Sequence, residues 1–131
     1  MKLNNIKKQA GLTLIEVTLV IAVLLGLISV LFIGVSAYKE GSNRAKCILN
    51  ISNVQKAVRS YQNMYEKPIA TVALLNVFTG PGKMLETVPT CPSGGTYAVA
   101  GIIPAIGTAY LTCNYQTGTD LAHVPSSVNG W

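Results

Sequence analysis

The sequence is short of charge, and shorter still of acid. Of its 131 residues only 11% are charged, with ten Lys and Arg against five Asp and Glu and a single His. The acids are Glu16, Glu40, Glu66, Glu86 and Asp120. So thin a supply leaves no visible Ser/His/Asp or Cys/His arrangement, and a catalytic constellation is not expected. Doubly wound nucleotide-binding folds and barrels need more chain than this. Half of the residues are apolar, which excludes a disordered polymer.

What is abundant is concentrated. Between Leu12 and Ala37 lie 26 residues, of which 19 are apolar and only Glu16 is charged. A bilayer core of about 30 Å needs about 20 helical residues, so residues 12–38 read as a transmembrane helix. Lys2, Lys7 and Lys8 precede the run without any acid, and Lys39, Glu40, Arg44 and Lys46 follow it. The acid-free leader places the N-terminus in the cytoplasm and exports the rest. A secretory signal peptide would share the basic start, and Val35-Ser36-Ala37 resembles its cleavage site. Its apolar core is normally about 7–15 residues, however, and has no use for Glu16.

A carboxylate inside lipid costs roughly 2.5–3.5 kcal/mol, so Glu16 needs a partner or a role. Two readings are open. Thr13-Leu14-Ile15-Glu16 fits the S/T-x-x-E capping box of a helix start. Alternatively, Glu16 is the counter-ion of a positive group at the same membrane depth. No Lys, Arg or His lies between Lys8 and Lys39, so that cation must come from another chain or from a new N-terminus made by proteolysis.

The stretch Lys7-Lys8-Gln9-Ala10-Gly11-Leu12-Thr13-Leu14-Ile15-Glu16 resembles the cleavage and methylation segment of type IV pilins and type II secretion pseudopilins. The likeness covers residues 1–67. It implies a leader, residues 1–11, cut after Gly11 by a membrane prepilin peptidase, and N-methylation of the new first residue, Leu12. It also implies that Glu16 neutralises a neighbour's N-terminal amine during assembly. Many members begin with Phe where this chain has Leu12, and carry Pro where it has Ile33; Gly26 and Gly34 are the helix-loosening residues nearby. The implied partners are the peptidase, other copies or related pilin subunits in a helical filament, an inner-membrane assembly platform and the lipid bilayer. The implied location is the bacterial inner membrane, as a single-pass protein, and then a periplasmic or cell-surface filament.

Residues 39–67 read as an amphipathic continuation of the helix. Ile48, Ile51, Val58, Tyr61 and Tyr65 form a helical stripe. Ser42 or Asn43 suits a restart after Gly41, and Pro68 ends the helix. The segment carries +4, which suits a solvated face beside a membrane, with acidic headgroups or nucleic acid as the alternative partner. Without residues 1–11 the formal charge falls from +5 to +2, which weakens the case for nucleic acid.

Residues 68–131 read as a small β-containing module. Val72 to Phe78 suggests a helical turn, and Gly80-Pro81-Gly82-Lys83 a loop that lacks the first Gly of a phosphate-binding loop. Thr96 to Ala100 and Thr108 to Asn114 suggest two strands joined by a turn around Pro104, followed by a loop-rich tail from Gln116 to Trp131. Cys47, Cys91 and Cys113 cannot all pair within one chain. In an exported module a disulfide is the expected use of cysteine, and a hairpin brings Cys113 within a turn's reach of Cys91. A Cys91–Cys113 bridge is therefore expected, closing a loop of about 22 residues and contributing roughly 3 kcal/mol, with Cys47 a buried thiol beside the stripe. One such pair and the lone His123 are too few ligands for a metal, so no metal or other cofactor is expected. The stretch Cys91-Pro92-Ser93-Gly94-Gly95-Thr96-Tyr97 also resembles one in small pilin-like proteins, where a later Cys and a His-containing loop follow, as Cys113 and His123 do here.

The expected fold is α+β and pilin-like, one long N-terminal helix packed on a small antiparallel module. The expected function is that of a non-enzymatic filament subunit. A minor tip pilin that binds DNA or a surface, and a stand-alone single-span membrane protein, are the alternatives.

Overall fold

A computed structural model describes Gly11 and residues 13–116 and 122–131. Residues 1–10 of the leader, the expected first mature residue Leu12 and Asp120 lie outside the described residues. The architecture is α+β: one long helix, a single-turn helix and a two-stranded antiparallel sheet. Contacts divide the chain into two compact units after Ala37.

Helix α1, Leu14–Met64, has 51 residues and runs unbroken through Gly26, Gly34 and Gly41, so the expected restart at Ser42 or Asn43 is not used. Its start is a capping box. The Glu16 amide donates to Thr13 Oγ1 at 3.3 Å, and the Thr13 amide donates to Glu16 Oε2 at 3.4 Å. Two amides that the first turn would otherwise leave without acceptors are thereby satisfied. As far as Ala37 every large apolar side chain is exposed, from 39% at Val17 to 81% at Leu14. The hydroxyls on this stretch bond to their own helix: Thr18 to the Ile15 carbonyl, Ser29 to Leu25 and Ser36 to Ile33. Such pairing lets a hydroxyl enter a medium without water. The helix is long and apolar enough, near the N-terminus, to cross a membrane.

The stop is a Schellman motif. The Lys67 amide donates to the Gln62 carbonyl at 3.0 Å, and Glu66 takes φ +48° between them. Glycine is the usual residue in that conformation, and Pro68 follows, as the sequence suggests.

The second unit, Tyr38–Trp131, holds the core. From α1 it buries Cys47, Ile51, Val54, Ala57 and Val58, against Ala73, Phe78, Ile103, Tyr110 and Leu111. Ile51, Val58 and Tyr61 of the expected stripe face this core, joined by Cys47 and Val54. Ile48 is half-buried, and Tyr65 is exposed while its ring lies 4.8 Å from Tyr61. An aromatic chain continues from Tyr61 through Phe78 to Tyr110, edge to face.

The module has little regular structure. Helix α2 is Leu75–Phe78, within the expected apolar run. Strands β1, Tyr97–Val99, and β2, Leu111–Cys113, pair antiparallel with Tyr97 opposite Cys113 and Val99 opposite Leu111. They are shorter than expected, because side chains of α1 take over much of the pairing. Buried Gln55 accepts from the Tyr110 amide at 2.8 Å and donates to the Thr108 carbonyl at 3.2 Å. The Arg59 guanidinium donates to the Pro104, Ala105 and Trp131 backbone oxygens. Loops are therefore held by charge-assisted bonds where a larger module would use strands.

Candidate functional site

The three cysteines and the single histidine of the sequence meet at one point. Cys47 comes from α1, Cys91 from the turn before β1, Cys113 from the end of β2, and His123 from the C-terminal tail. Their donor atoms all lie within 4.8 Å of one another. Cys47 and His123 are completely buried, and Cys91 and Cys113 are 7% and 8% exposed.

Each donor is positioned by its own local structure. Cys47 stands two helical turns after Glu40 on the same face of α1. Cys91 opens a β-turn closed by the Gly94 amide on the Cys91 carbonyl at 3.1 Å, with Gly94 at φ +84°. The backbone of Ser93 and Gly95 favours the thiolate form of Cys91. Gly95 is where the sulfurs crowd the chain. A Cβ there would sit 2.9 Å from Cys113 Sγ, 3.3 Å from Cys91 Sγ and 2.6 Å from Tyr115 Cβ. Cys113 faces the same side of the ribbon as its partner Tyr97, whose hydroxyl donates to Cys47 Sγ at 3.3 Å. Asn50 donates to that hydroxyl and to the Thr90 carbonyl, tying the turn to the helix.

His123 is held from both sides. Its Nδ1 is 3.4 Å from Cys91 Sγ, and its Nε2 is 3.3 Å from Glu40 Oε1. The ring also lies 4.6 Å from that of Tyr115, and the His123 amide donates to the Tyr115 carbonyl. With Glu40 accepting the Nε2 proton, Nδ1 presents its lone pair to the sulfurs.

The thiols are not equivalent. Burial pushes Cys47 up to about 12, against the Tyr97 hydroxyl bond that pulls it down. Burial also opposes ionisation of Cys91. The Ser93 amide, His123 and the Gly95 amide overcome it and bring that thiol down to about 7. A thiolate is the form that attacks an electrophile or binds a metal.

All three cysteines are free thiols, and the expected Cys91–Cys113 disulfide is not formed in this structure. The inference of too few ligands for a metal is corrected too, because α1 brings Cys47 to the other two. Spacing along the chain could not show it: the four donors come from four separate elements. The expectation that no Cys/His arrangement exists is also revised. Cys91, His123 and Glu40 stand in the order of a nucleophile, a base and an orienting carboxylate. Burial and the two further sulfurs suit this group to holding an ion better than to turning over a substrate. Of the other expected site residues, Gly11 is exposed and Glu16 sits in its capping box. Neither protein-family models, curated proteins nor solved structures match the chain.

Proposed function

We propose that this chain is a non-enzymatic structural subunit of a type IV pilus-like or type II secretion pseudopilus filament. Prepilin peptidase cuts it after Gly11 and methylates Leu12. The processed chain waits in the bacterial inner membrane, then enters a periplasmic or surface filament by packing its apolar helix against other copies or related subunits. The observation that carries this reading is the exposed apolar stretch of α1 with Glu16 as its one charge. A helix that is apolar all round needs lipid or other helices about it. Among the described residues Glu16 accepts a long bond from the Thr13 amide, which leaves its charge available to a neighbour's amine.

Mass spectrometry of the N-terminus in cells with and without the peptidase tests the proposal. The expected product begins at Leu12, carries one added methyl group and disappears with the peptidase. A chain beginning at Tyr38, or an unprocessed one in both strains, overturns it.

A further inference from the structure

We propose that Cys47, Cys91, Cys113 and His123 form a structural zinc site, with Glu40 as its outer carboxylate. This rests on the geometry of the second unit and is independent of filament assembly.

Zinc takes four ligands in a tetrahedron, with Zn–S bonds of about 2.3 Å and hence S···S edges of about 3.8 Å. Four donors within 4.8 Å of one another need small inward movements to reach that arrangement. The donor set is three sulfurs and one imidazole, a combination that favours zinc over hard cations. Four protein ligands fill the tetrahedron and leave no position for water or substrate, so the site is structural.

The outer groups match what a bound thiolate and imidazole require. The carboxylate of Glu40 on the far nitrogen of His123 sets the tautomer that offers Nδ1 to the ion. The Tyr97 hydroxyl donates to the Cys47 sulfur at 3.3 Å. Such a donor offsets part of the single negative charge left when Zn2+ meets three thiolates. Binding balances as one Zn2+ taken up and three thiol protons released. An odd number of cysteines, awkward for disulfides, is accounted for in full.

The test uses the full chain in detergent, stripped of metal under denaturing conditions with reductant and refolded under nitrogen. Titration with Co2+ is expected to saturate at one equivalent, with thiolate-to-cobalt charge-transfer absorption and the d–d bands of a tetrahedral centre. Zn2+ should displace the cobalt one for one without further proton release, the thiol protons leaving when either ion is first added to the stripped chain. Cys113→Ser and His123→Ala should each weaken zinc about tenfold or more. His123→Cys should retain tetrahedral cobalt with stronger charge transfer, which separates a lost ligand from a lost fold. Absence of the charge-transfer bands in the unaltered chain overturns the proposal. So does a Cys91–Cys113 disulfide in chain isolated from cells under thiol-blocking conditions, or selective alkylation of Cys91 in chain saturated with Zn2+.

Discussion

His123 lies between two unlike partners, with Glu40 Oε1 3.3 Å from its Nε2 and Cys91 Sγ 3.4 Å from its Nδ1. Glu40 touches no sulfur-bound position itself; it acts through the imidazole. Glu40→Gln keeps an acceptor for the Nε2 proton and removes the charge, whereas Glu40→Ala removes both. Zinc affinity is expected to fall about tenfold in the first and toward about 100-fold in the second. Competition against a chromophoric chelator measures this, and stoichiometry should stay at one zinc per chain. Equal affinity in all three chains would confine Glu40 to the surface.

Gly94 and Gly95 separate two kinds of glycine requirement. Gly95 has no room: its added Cβ would come within 3.0 Å of both Cys113 Sγ and Tyr115 Cβ. Gly95→Ala should cost about 1–3 kcal/mol, as overpacking does, and should weaken zinc as well. Gly94 has space but takes φ +84°, so Gly94→Ala should cost about 1 kcal/mol through backbone strain. Urea unfolding followed by the fluorescence of Trp131, the only tryptophan, reads both. Cobalt absorption should distinguish them, because Gly95→Ala alone presses on the sulfurs.

Glu66 occupies a left-handed position after α1 with a side chain that the position disfavours. Releasing it is worth about 1–2 kcal/mol, and the extra freedom of glycine in the unfolded chain takes back about 0.4–1. Its negative charge at a helix C-terminus is also unfavourable. Glu66→Gly should therefore raise the stability of the module by about 0.5–1 kcal/mol in the same unfolding measurement. A loss of stability would mean that the Glu66 side chain makes a contact worth more than the strain.

Two substitutions separate the roles of Glu16. Glu16→Gln retains an acceptor for the Thr13 amide but removes the charge, while Thr13→Ala removes the cap and leaves the carboxylate. If Glu16 meets a neighbour's amine, Glu16→Gln should lower incorporation into filaments at least tenfold. Thr13→Ala should only fray the first turn, by about 0.5–2 kcal/mol. Quantifying each subunit in sheared filaments against the membrane pool checks this. The opposite ranking would assign Glu16 to capping alone.

Much of the frame was legible from spacing. The apolar run and helical stripe along α1, the stop before Pro68 and the antiparallel pairing of residues near Tyr97 and Cys113 are all local patterns. The full membership of the buried stripe was less so, because Val54 and Cys47 are small residues whose burial depends on what α1 meets. Gln55 and Arg59 look like solvent-facing polar residues in a helical pattern. Their work is done on carbonyls and amides some 45 to 72 positions away in the chain. The sulfur cluster was hidden for a related reason. Its ligands share no short motif, and the odd cysteine count said only that one thiol had no partner within the chain.

Three sulfurs within reach of one another make the chain a branching point. Each of the three pairwise disulfides would strand one thiol and His123, and none would tie all four elements together. Ion capture closes every one of these routes together, whereas oxidation of any pair closes off the ion. On the proposed zinc site, the fate of a newly made chain is a race between metal supply and oxidant, and a chain oxidised first is trapped as one of three misbridged isomers.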